Sequence, residues 1–294
     1  MEAARGGRKD EIDVLRTAFW YAEIKARLHG AIPAEIENHV EPDAFFEVAK
    51  GYRAHKNKWP KYRVGLHVPR NSLATRADEL LPGSKATLNH VLWQVLKMKY
   101  PVTVHADDWL RKLDPTIQQC IFKSQGYAVL RVPTSRRVVI SLERRAGLDA
   151  LACLTILLCE SAEKDEDSQS IDIGRAIYRM LLVLGNTDRF ADFIEAIFDI
   201  YRDRIFPLAR IKGERFELQD TNVIMPIRLL AAMVRIVLRM EAGSESSVDE
   251  ALRIRAMYEI FNCRHGLEAK LLLDPPISGM RQIPRQAYGR ILRD

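Results

Sequence analysis

The amino-acid sequence predicts a mainly α-helical protein, with an N-terminal helical region, one short β-hairpin and a C-terminal helical bundle. The chain has 294 residues, of which 47% are hydrophobic and 29% charged, a composition typical of globular rather than disordered proteins. Apolar residues recur at helical spacing through most of the chain. Only one pair of β-branched runs has the pattern expected of paired strands.

The N-terminal region contains several segments with helical pattern. The first places apolar side chains at three- and four-residue intervals and ends before Gly30. A shorter helix is predicted between Pro42, which suits a helix start, and Gly51, which suits a helix end. The predicted helices of this region are residues 11–29, 43–50, 71–81 and 85–99.

A β-hairpin is predicted in the middle of the chain. Residues 127–132 and 138–142 are rich in β-branched and aromatic types, and the five residues between them include Pro133 and Ser135. This pattern predicts two strands joined by a turn at 133–137. The turn would carry Arg136 and Arg137, so that the hairpin has a basic tip.

The remaining sequence predicts a helical bundle. Its helical segments are residues 148–162, 171–184, 188–206, 222–241 and 248–264, and they share no signature of a solenoid repeat. The expected organisation is a helical basic region at 1–105, a connector with the hairpin at 106–145, the bundle at 146–274 and a basic tail at 275–294.

The charge of the chain is unevenly distributed. The formal net charge is +6. Residues 50–77 contain no Asp or Glu and eight Lys or Arg residues, so this basic window carries +8 and the rest of the chain about −2. The eight cations are Lys50, Arg53, Lys56, Lys58, Lys61, Arg63, Arg70 and Arg76. Such an asymmetry indicates a surface that meets phosphate or another polyanion.

The basic window also contains a short motif. Aromatic and basic residues alternate from Lys58 to Arg63, Gly65 follows, and Pro69 precedes the predicted helix at 71–81. Residues 45–81 therefore resemble a phage-repressor (Cro-like) helix-turn-helix. The resemblance implies a first helix at 45–50, a turn at Gly51 and a reading element at 56–63 that enters the major groove of DNA.

The resemblance implies a role for each cation. Arg53, Lys56 and Lys58 would contact the phosphate backbone, and Lys61 and Arg63 would reach base edges. The full set of candidate nucleic-acid-binding residues is Arg53, Lys56, Lys58, Trp59, Lys61, Tyr62, Arg63, Arg70, Arg136 and Arg137, the last two forming a wing on the hairpin tip. In the alternative interpretation, Trp59, Tyr62, Val64, Leu66 and Val68 anchor a loop on the helices and the cations are merely solvated.

The sequence lacks the motifs of the common enzyme classes. There is no phosphate-binding loop, dinucleotide-binding fingerprint, metalloprotease motif or nucleophile elbow. His105, Asp107 and Asp108 could form a catalytic cluster, although an aspartate capping a helix near Trp109 explains them as well. No catalytic residue, metal ligand or cofactor is predicted, and whether the chain is an enzyme stays open.

Other features concern the cellular compartment. The cysteines Cys120, Cys153, Cys159 and Cys263 are scattered, with no close pair, which favours a reducing compartment. No signal peptide and no apolar run of membrane-spanning length is visible. A cytoplasmic protein without membrane contact is the expectation.

Three functional hypotheses follow. The first is a non-catalytic nucleic-acid-binding protein, with DNA favoured and a role in transcription regulation, in which the C-terminal helices form a homodimer or bind a partner. The second is a protein-interaction or scaffold protein whose basic surface docks an acidic partner. The third is an effector enzyme whose site is assembled from residues distant in sequence.

Overall fold

The computed structural model describes residues 10–48, 52–55, 57–98, 101–211, 214–242, 249–264 and 271–278. The chain divides into two compact units, Met1–Lys97 and Met98–Asp294. The first helical region was expected to extend to residue 105 and to be followed by a separate connector at 106–145. Those connector residues instead belong to the same compact unit as the helices that follow them.

The first unit is built mainly from helices. Its elements are α1 (Glu11–Arg27), α2 (Pro33–Val40), β1 (Phe45–Val48), β2 (Tyr52–His55), α3 (Trp59–Arg63), α4 (Asn71–Leu80), α5 (Ser84–Leu88) and α6 (Val91–Lys97). Helix α1 begins where the Asp10 carboxylate accepts a hydrogen bond from the Ile12 amide at 2.9 Å, which satisfies a free N–H group of the first turn. Its apolar face contributes Trp20 and Ile24 to the core of this unit.

The helix predicted at residues 43–50 is wrong. A 3₁₀ turn at Pro42–Ala44 leads into β1, and β1 pairs antiparallel with β2 in the register Phe45 to His55 and Val48 to Tyr52. The predicted window holds barely two helical turns, and its aromatic and β-branched residue types favour a strand. Among the described residues, 45–48 form a strand, so the first helix that the resemblance implies at 45–50 is not present there.

The second unit is a helical assembly with two small hairpins. Its helices are α7 (Ala106–Leu110), α8 (Pro115–Ile121), α9 (Arg136–Glu143), α10 (Leu148–Glu163), α11 (Asp167–Leu184), α12 (Ile194–Ile200), α13 (Ile224–Ala242) and α14 (Glu250–Phe261). Its strands are β3 (Phe122–Gln125), β4 (Ala128–Arg131), β5 (Arg210–Ile211) and β6 (Glu214–Arg215), paired antiparallel as β3 with β4 and β5 with β6.

Helix α10 lies in the middle of this unit and is buried along nearly its whole length. Thr155 of α10 and Tyr201 exchange a buried hydroxyl hydrogen bond of 2.7 Å, and Thr155 also donates to the Leu151 carbonyl. Tyr201 begins a π-helical turn, Tyr201–Ile205, which follows α12 and leads into a 3₁₀ turn at Phe206–Leu208. The buried hydroxyl groups of Thr155 and Tyr201 are therefore paired, as burial requires.

The predicted hairpin exists, but its position is different. Residues 128–131 are a strand as predicted, but their partner is the preceding segment Phe122–Gln125, and the loop is Gly126 and Tyr127. The second predicted strand forms α9 instead. Ser135 caps this helix by accepting a hydrogen bond from the Val138 amide, and Val139 and Leu142 bury one face of it. Capping and burial at helical spacing override the strand preference of the β-branched residues.

The mainly helical fold class is confirmed, and the long periodic segments are confirmed as helices α1, α4, α10, α11, α13 and α14. The segment 85–99 is divided into α5 and α6 by Asn89 and His90. The segment 188–206 becomes an α-helix only at Ile194. Among the residues that the structure describes, no helix is both long and apolar enough to cross a membrane. The tail at 279–294 lies outside the described residues.

Candidate nucleic-acid interface

Helix α3 and the loop after it are held in a fixed position. The helix ends in two hydrogen bonds, from the Gly65 amide to the Tyr62 carbonyl at 3.0 Å and from the Leu66 amide to the Lys61 carbonyl at 2.8 Å. This is the Schellman arrangement, which requires a left-handed residue, and Gly65 has a φ of 68°. Within the reading element implied at 56–63, residues Trp59–Arg63 are helical, and Pro60 is tolerated in the first turn of this helix.

Two predicted binding residues are core residues instead. Trp59 is fully buried and Tyr62 is 6% exposed. The Trp59 ring stacks on Trp20 with centroids 5.6 Å apart, and Tyr62 meets both indoles edge-on. Neither aromatic side chain is accessible to a ligand, so their assignment to the binding set is wrong. Their spacing of three residues within one helix is the signal that indicates a shared buried face.

The cations of α3 and its loop are exposed. Lys61, Arg63 and Arg70 reach solvent, and within the described part of the chain none of them has a carboxylate within 4.0 Å. Three apolar side chains of the loop are also exposed, to 49% at Val64, 53% at Leu66 and 41% at Val68. We call the set Lys61, Arg63, Val64, Leu66, Val68 and Arg70 the α3 surface.

Two other cations of the basic window are neutralised by acids outside it. Lys58 is half-buried, and its Nζ lies 3.3 Å from the Glu41 carboxylate. Arg76 pairs with Asp43 at 3.0 Å. Arg53 belongs to β2, but its side chain lies outside the described residues, as do Lys50 and Lys56. The surface charge of the window is therefore smaller than its sequence indicates.

The α3 surface lies next to the aromatic core of the first unit. Burial raises the pKa of the Tyr21 hydroxyl, and the positive charge of Arg63 opposes that shift. Burial also raises the pKa of Tyr62, where Glu41 and Glu37 act in the same direction and Arg70 opposes them. The two guanidinium groups are thus close enough to the buried rings to influence them electrostatically, although they point to solvent.

Arg136 and Arg137 belong to the second unit. They are exposed in the first turn of α9 rather than at a hairpin tip. Cations are unfavourable at a helix N-terminus, where the backbone dipole is positive, so this position does not serve the stability of α9. No acid occupies that turn.

The cluster around His105 has a structural role. The aspartate cap predicted near Trp109 is wrong, because helix α7 begins at Ala106, after His105, and no described side chain caps it. Asp107 and Asp108 lie in its first turn, where carboxylates are favourable. The Asp107 carboxylate accepts a hydrogen bond of 3.0 Å from Arg131. Within the described residues, no group of three or more His, Cys, Asp or Glu side chains is arranged to hold a metal ion. All four cysteines are unpaired thiols.

A buried ionic cluster was not visible in the sequence. Arg179 of α11 donates from Nε to Asp274 at 3.0 Å, and its Nη1 lies 3.9 Å from the Glu143 carboxylate of α9. The Tyr258 hydroxyl of α14 donates to the Glu143 backbone carbonyl. Burial raises the pKa of Glu143 to about 7, against the opposing charge of Arg179. The cluster joins four segments that are far apart in sequence, and no local motif indicates it.

Comparison with known proteins adds no relative. No protein-family model, no curated protein and no solved structure matches this chain.

Proposed function

We propose that the first unit binds nucleic acid through the α3 surface. The observation that carries the proposal is the exposure of Lys61, Arg63 and Arg70, three cations without a described carboxylate partner, on a segment held against the core by Trp59 and Tyr62. Cations on a rigid base can contact phosphates without a large loss of conformational entropy. Each phosphate contact releases counterions, so the affinity depends steeply on salt.

DNA is the first ligand to test, and a non-catalytic regulatory role is the proposal that goes with it. Phosphate contacts from the α3 surface would position the protein on the nucleic acid rather than read its sequence. Val64, Leu66 and Val68, which are exposed between the cations, provide apolar contacts for sugar or base surfaces. The C-terminal helices remain a proposed site for a homodimer or a partner.

The test is the binding of labelled duplex DNA and single-stranded RNA across a salt series. The variant Lys61→Gln, Arg63→Gln, Arg70→Gln removes three charges from the α3 surface. The matched control, Arg228→Gln, Arg235→Gln, Arg253→Gln, removes three exposed charges from α13 and α14. We expect the slope of log affinity against log salt to become less steep by up to about 3 in the first variant and to change little in the control. Equal affinities and equal salt slopes in the two variants would refute the proposal.

A second candidate function is the docking of an acidic protein on the same surface. The exposed Val64, Leu66 and Val68 favour it, because protein interfaces combine an apolar centre with a charged rim. The variant Val64→Ser, Leu66→Ser, Val68→Ser keeps every cation and separates the two functions. Docking of an acidic protein is favoured if two results are found together. The wild type binds poly-L-glutamate but not nucleic acid, and poly-L-glutamate binding is lost both in the variant without the three cations and in the variant without the three apolar residues.

A further inference from the structure

The hairpin of β3 and β4 projects from the second unit with almost no packing of its own. Residues 123–130 are all exposed, and Tyr127 in the loop is exposed over its whole side chain. Gly126 takes the left-handed conformation, with a φ of 60°, at the first position of the two-residue loop. A glycine there is typical of a tight hairpin turn. We call residues 122–131 the β-arm.

The base of the β-arm is firmly attached. Phe122 is buried, and the Arg111 guanidinium lies 4.6 Å from the centre of its ring. Arg131, at the other end of the arm, forms two hydrogen bonds with the buried Glu160 carboxylate and a third with Asp107. A two-stranded hairpin is at best marginally stable alone, so this clamp determines where the arm lies. The exposed part adds no core packing that would explain its presence.

Both faces of the β-arm carry side chains suited to a ligand. The register pairs Lys123 with Leu130 and Ser124 with Val129. Val129 and Leu130 are consecutive in β4, so their side chains lie on opposite faces of the hairpin. Val129 and Leu130 are each 49% exposed. With Tyr127 at the tip, the arm presents apolar groups on three sides. These exposed apolar groups provide contacts for a ligand on either face and at the tip of the arm.

The charge around the β-arm selects the class of ligand. Residues 115–142 contain no Asp or Glu, and their cations besides Arg131, which is paired with Glu160 and Asp107, are Lys123, Arg136 and Arg137. Lys112 precedes this segment and is exposed. In the described structure, neither Lys112 nor Lys123 has a carboxylate partner within 4.0 Å. A polyanion complements the charge of this surface, and a basic partner does not.

We infer that the β-arm binds single-stranded nucleic acid, with the Tyr127 ring stacking on an unpaired base and the Lys123 ammonium contacting a phosphate. An exposed aromatic ring can stack fully only on a base that is not already stacked between neighbours in a duplex. Single-strand binding surfaces combine stacking rings with cations that follow the phosphate backbone, and Lys123 and Tyr127 both belong to the β-arm. This inference shares its ligand class with the proposed function, but it concerns a different unit and different residues.

The experiment is fluorescence anisotropy with a labelled single-stranded oligothymidylate of about 20 nucleotides, long enough for one such surface, and with a duplex of equal length. Tyr127→Ala removes the stacking ring, Tyr127→Phe keeps it, and Lys123→Gln removes the charge. Val104→Ala is the matched control, since Val104 is another exposed apolar residue of the same unit, at 73% exposure. Urea denaturation verifies that each variant is folded.

We expect Tyr127→Ala to weaken single-strand binding by roughly 5- to 100-fold, the effect of losing one stacked base. Tyr127→Phe and Val104→Ala should bind like the wild type, and Lys123→Gln should bind more weakly with a smaller salt slope. Wild-type affinity in Tyr127→Ala, or no binding of the single strand by the wild type, would overturn the inference. Both proposals would be supported by two separate losses. Duplex binding would be lost only in the variant that lacks the three α3-surface cations, and single-strand binding only in Tyr127→Ala. An effect of Tyr127→Ala alone would support the β-arm and refute the α3 surface.

Discussion

Gly65 lies against the backbone of Val14 so closely that a Cβ atom at position 65 would come within 2.3 Å of the Val14 carbonyl oxygen. The same glycine has the left-handed conformation that ends α3. One residue therefore meets two independent requirements, a close approach to α1 and a φ that residues with a side chain rarely adopt. The orientation of the α3 surface depends on this contact.

Gly65→Ala should destabilise the first unit. Backbone strain alone costs about 1 kcal/mol, and the clash with Val14 adds to it, so we expect a loss of about 2 to 4 kcal/mol in the free energy of unfolding. Gly30→Ala is the control, because Gly30 also has a positive φ, of 86°, but a Cβ there would meet nothing within 4 Å. Urea denaturation measures both. Equal losses in the two variants would show that contact with Val14 is unimportant.

Trp59→Ala should unfold or strongly destabilise the first unit, since it removes a fully buried ring that stacks on Trp20. The expected cost is about 3 to 5 kcal/mol in the free energy of unfolding. Trp59→Phe keeps an apolar ring and should cost less. If Trp59→Ala kept wild-type stability and lost only ligand binding, the burial of this side chain would be contradicted.

Removal of one partner of the Arg131–Glu160 ion pair should lower the free energy of unfolding. Arg131→Met leaves the Glu160 carboxylate, whose side chain is 6% exposed, without its main partner. Lys164 remains, at 3.6 Å. We expect a loss of about 3 kcal/mol, and recovery of much of it in the double variant Arg131→Met, Glu160→Leu, which removes both charges. A double-mutant cycle by chemical denaturation measures the coupling; a coupling near zero would contradict the clamp at the base of the β-arm.

Glu143 should make the protein less stable as the pH rises. Burial raises its pKa from 4.5 to about 7, so the folded state holds a proton that the unfolded state releases between these values. Stability is therefore lost as pH increases through this window, by about 3 kcal/mol for a shift of this size. Glu143→Gln mimics the protonated form, so it should be the more stable protein at pH 8 and differ little from the wild type at pH 4.

The comparison of denaturation curves for wild type and Glu143→Gln isolates this group from other titrations. Glu195→Gln, a change at an exposed glutamate of α12, should leave the pH profile of stability close to that of the wild type. A Glu143→Gln profile parallel to the wild-type profile would show that Glu143 is ionised in the folded protein at neutral pH.

Several errors of the sequence predictions have a common cause. Residues 43–48 and 138–142 are short windows in which local preference is weak. Pairing with β2 fixed the strand Phe45–Val48, and the Ser135 cap with the burial of Val139 and Leu142 fixed α9. The correct hairpin could have been predicted from the loop at Gly126 and Tyr127, because a glycine at the first position of a two-residue loop between strand-like segments is typical of a tight hairpin. The burial of Trp59 and Tyr62 could also have been predicted, since aromatic residues three apart on a helix share one face.

The sequence by itself determined the mainly helical class and the long helices, because the spacing of apolar residues over three or more turns is a local property. It also determined the acid-free basic window. Only the tertiary structure decided which cations of the basic window are free of carboxylate partners among the described residues and exposed to a ligand. Lys58 and Arg76 meet Glu41 and Asp43, whereas Lys61, Arg63 and Arg70 remain exposed. Pairing between charges depends on distances in space, and these follow from the packing of helices rather than from positions along the chain.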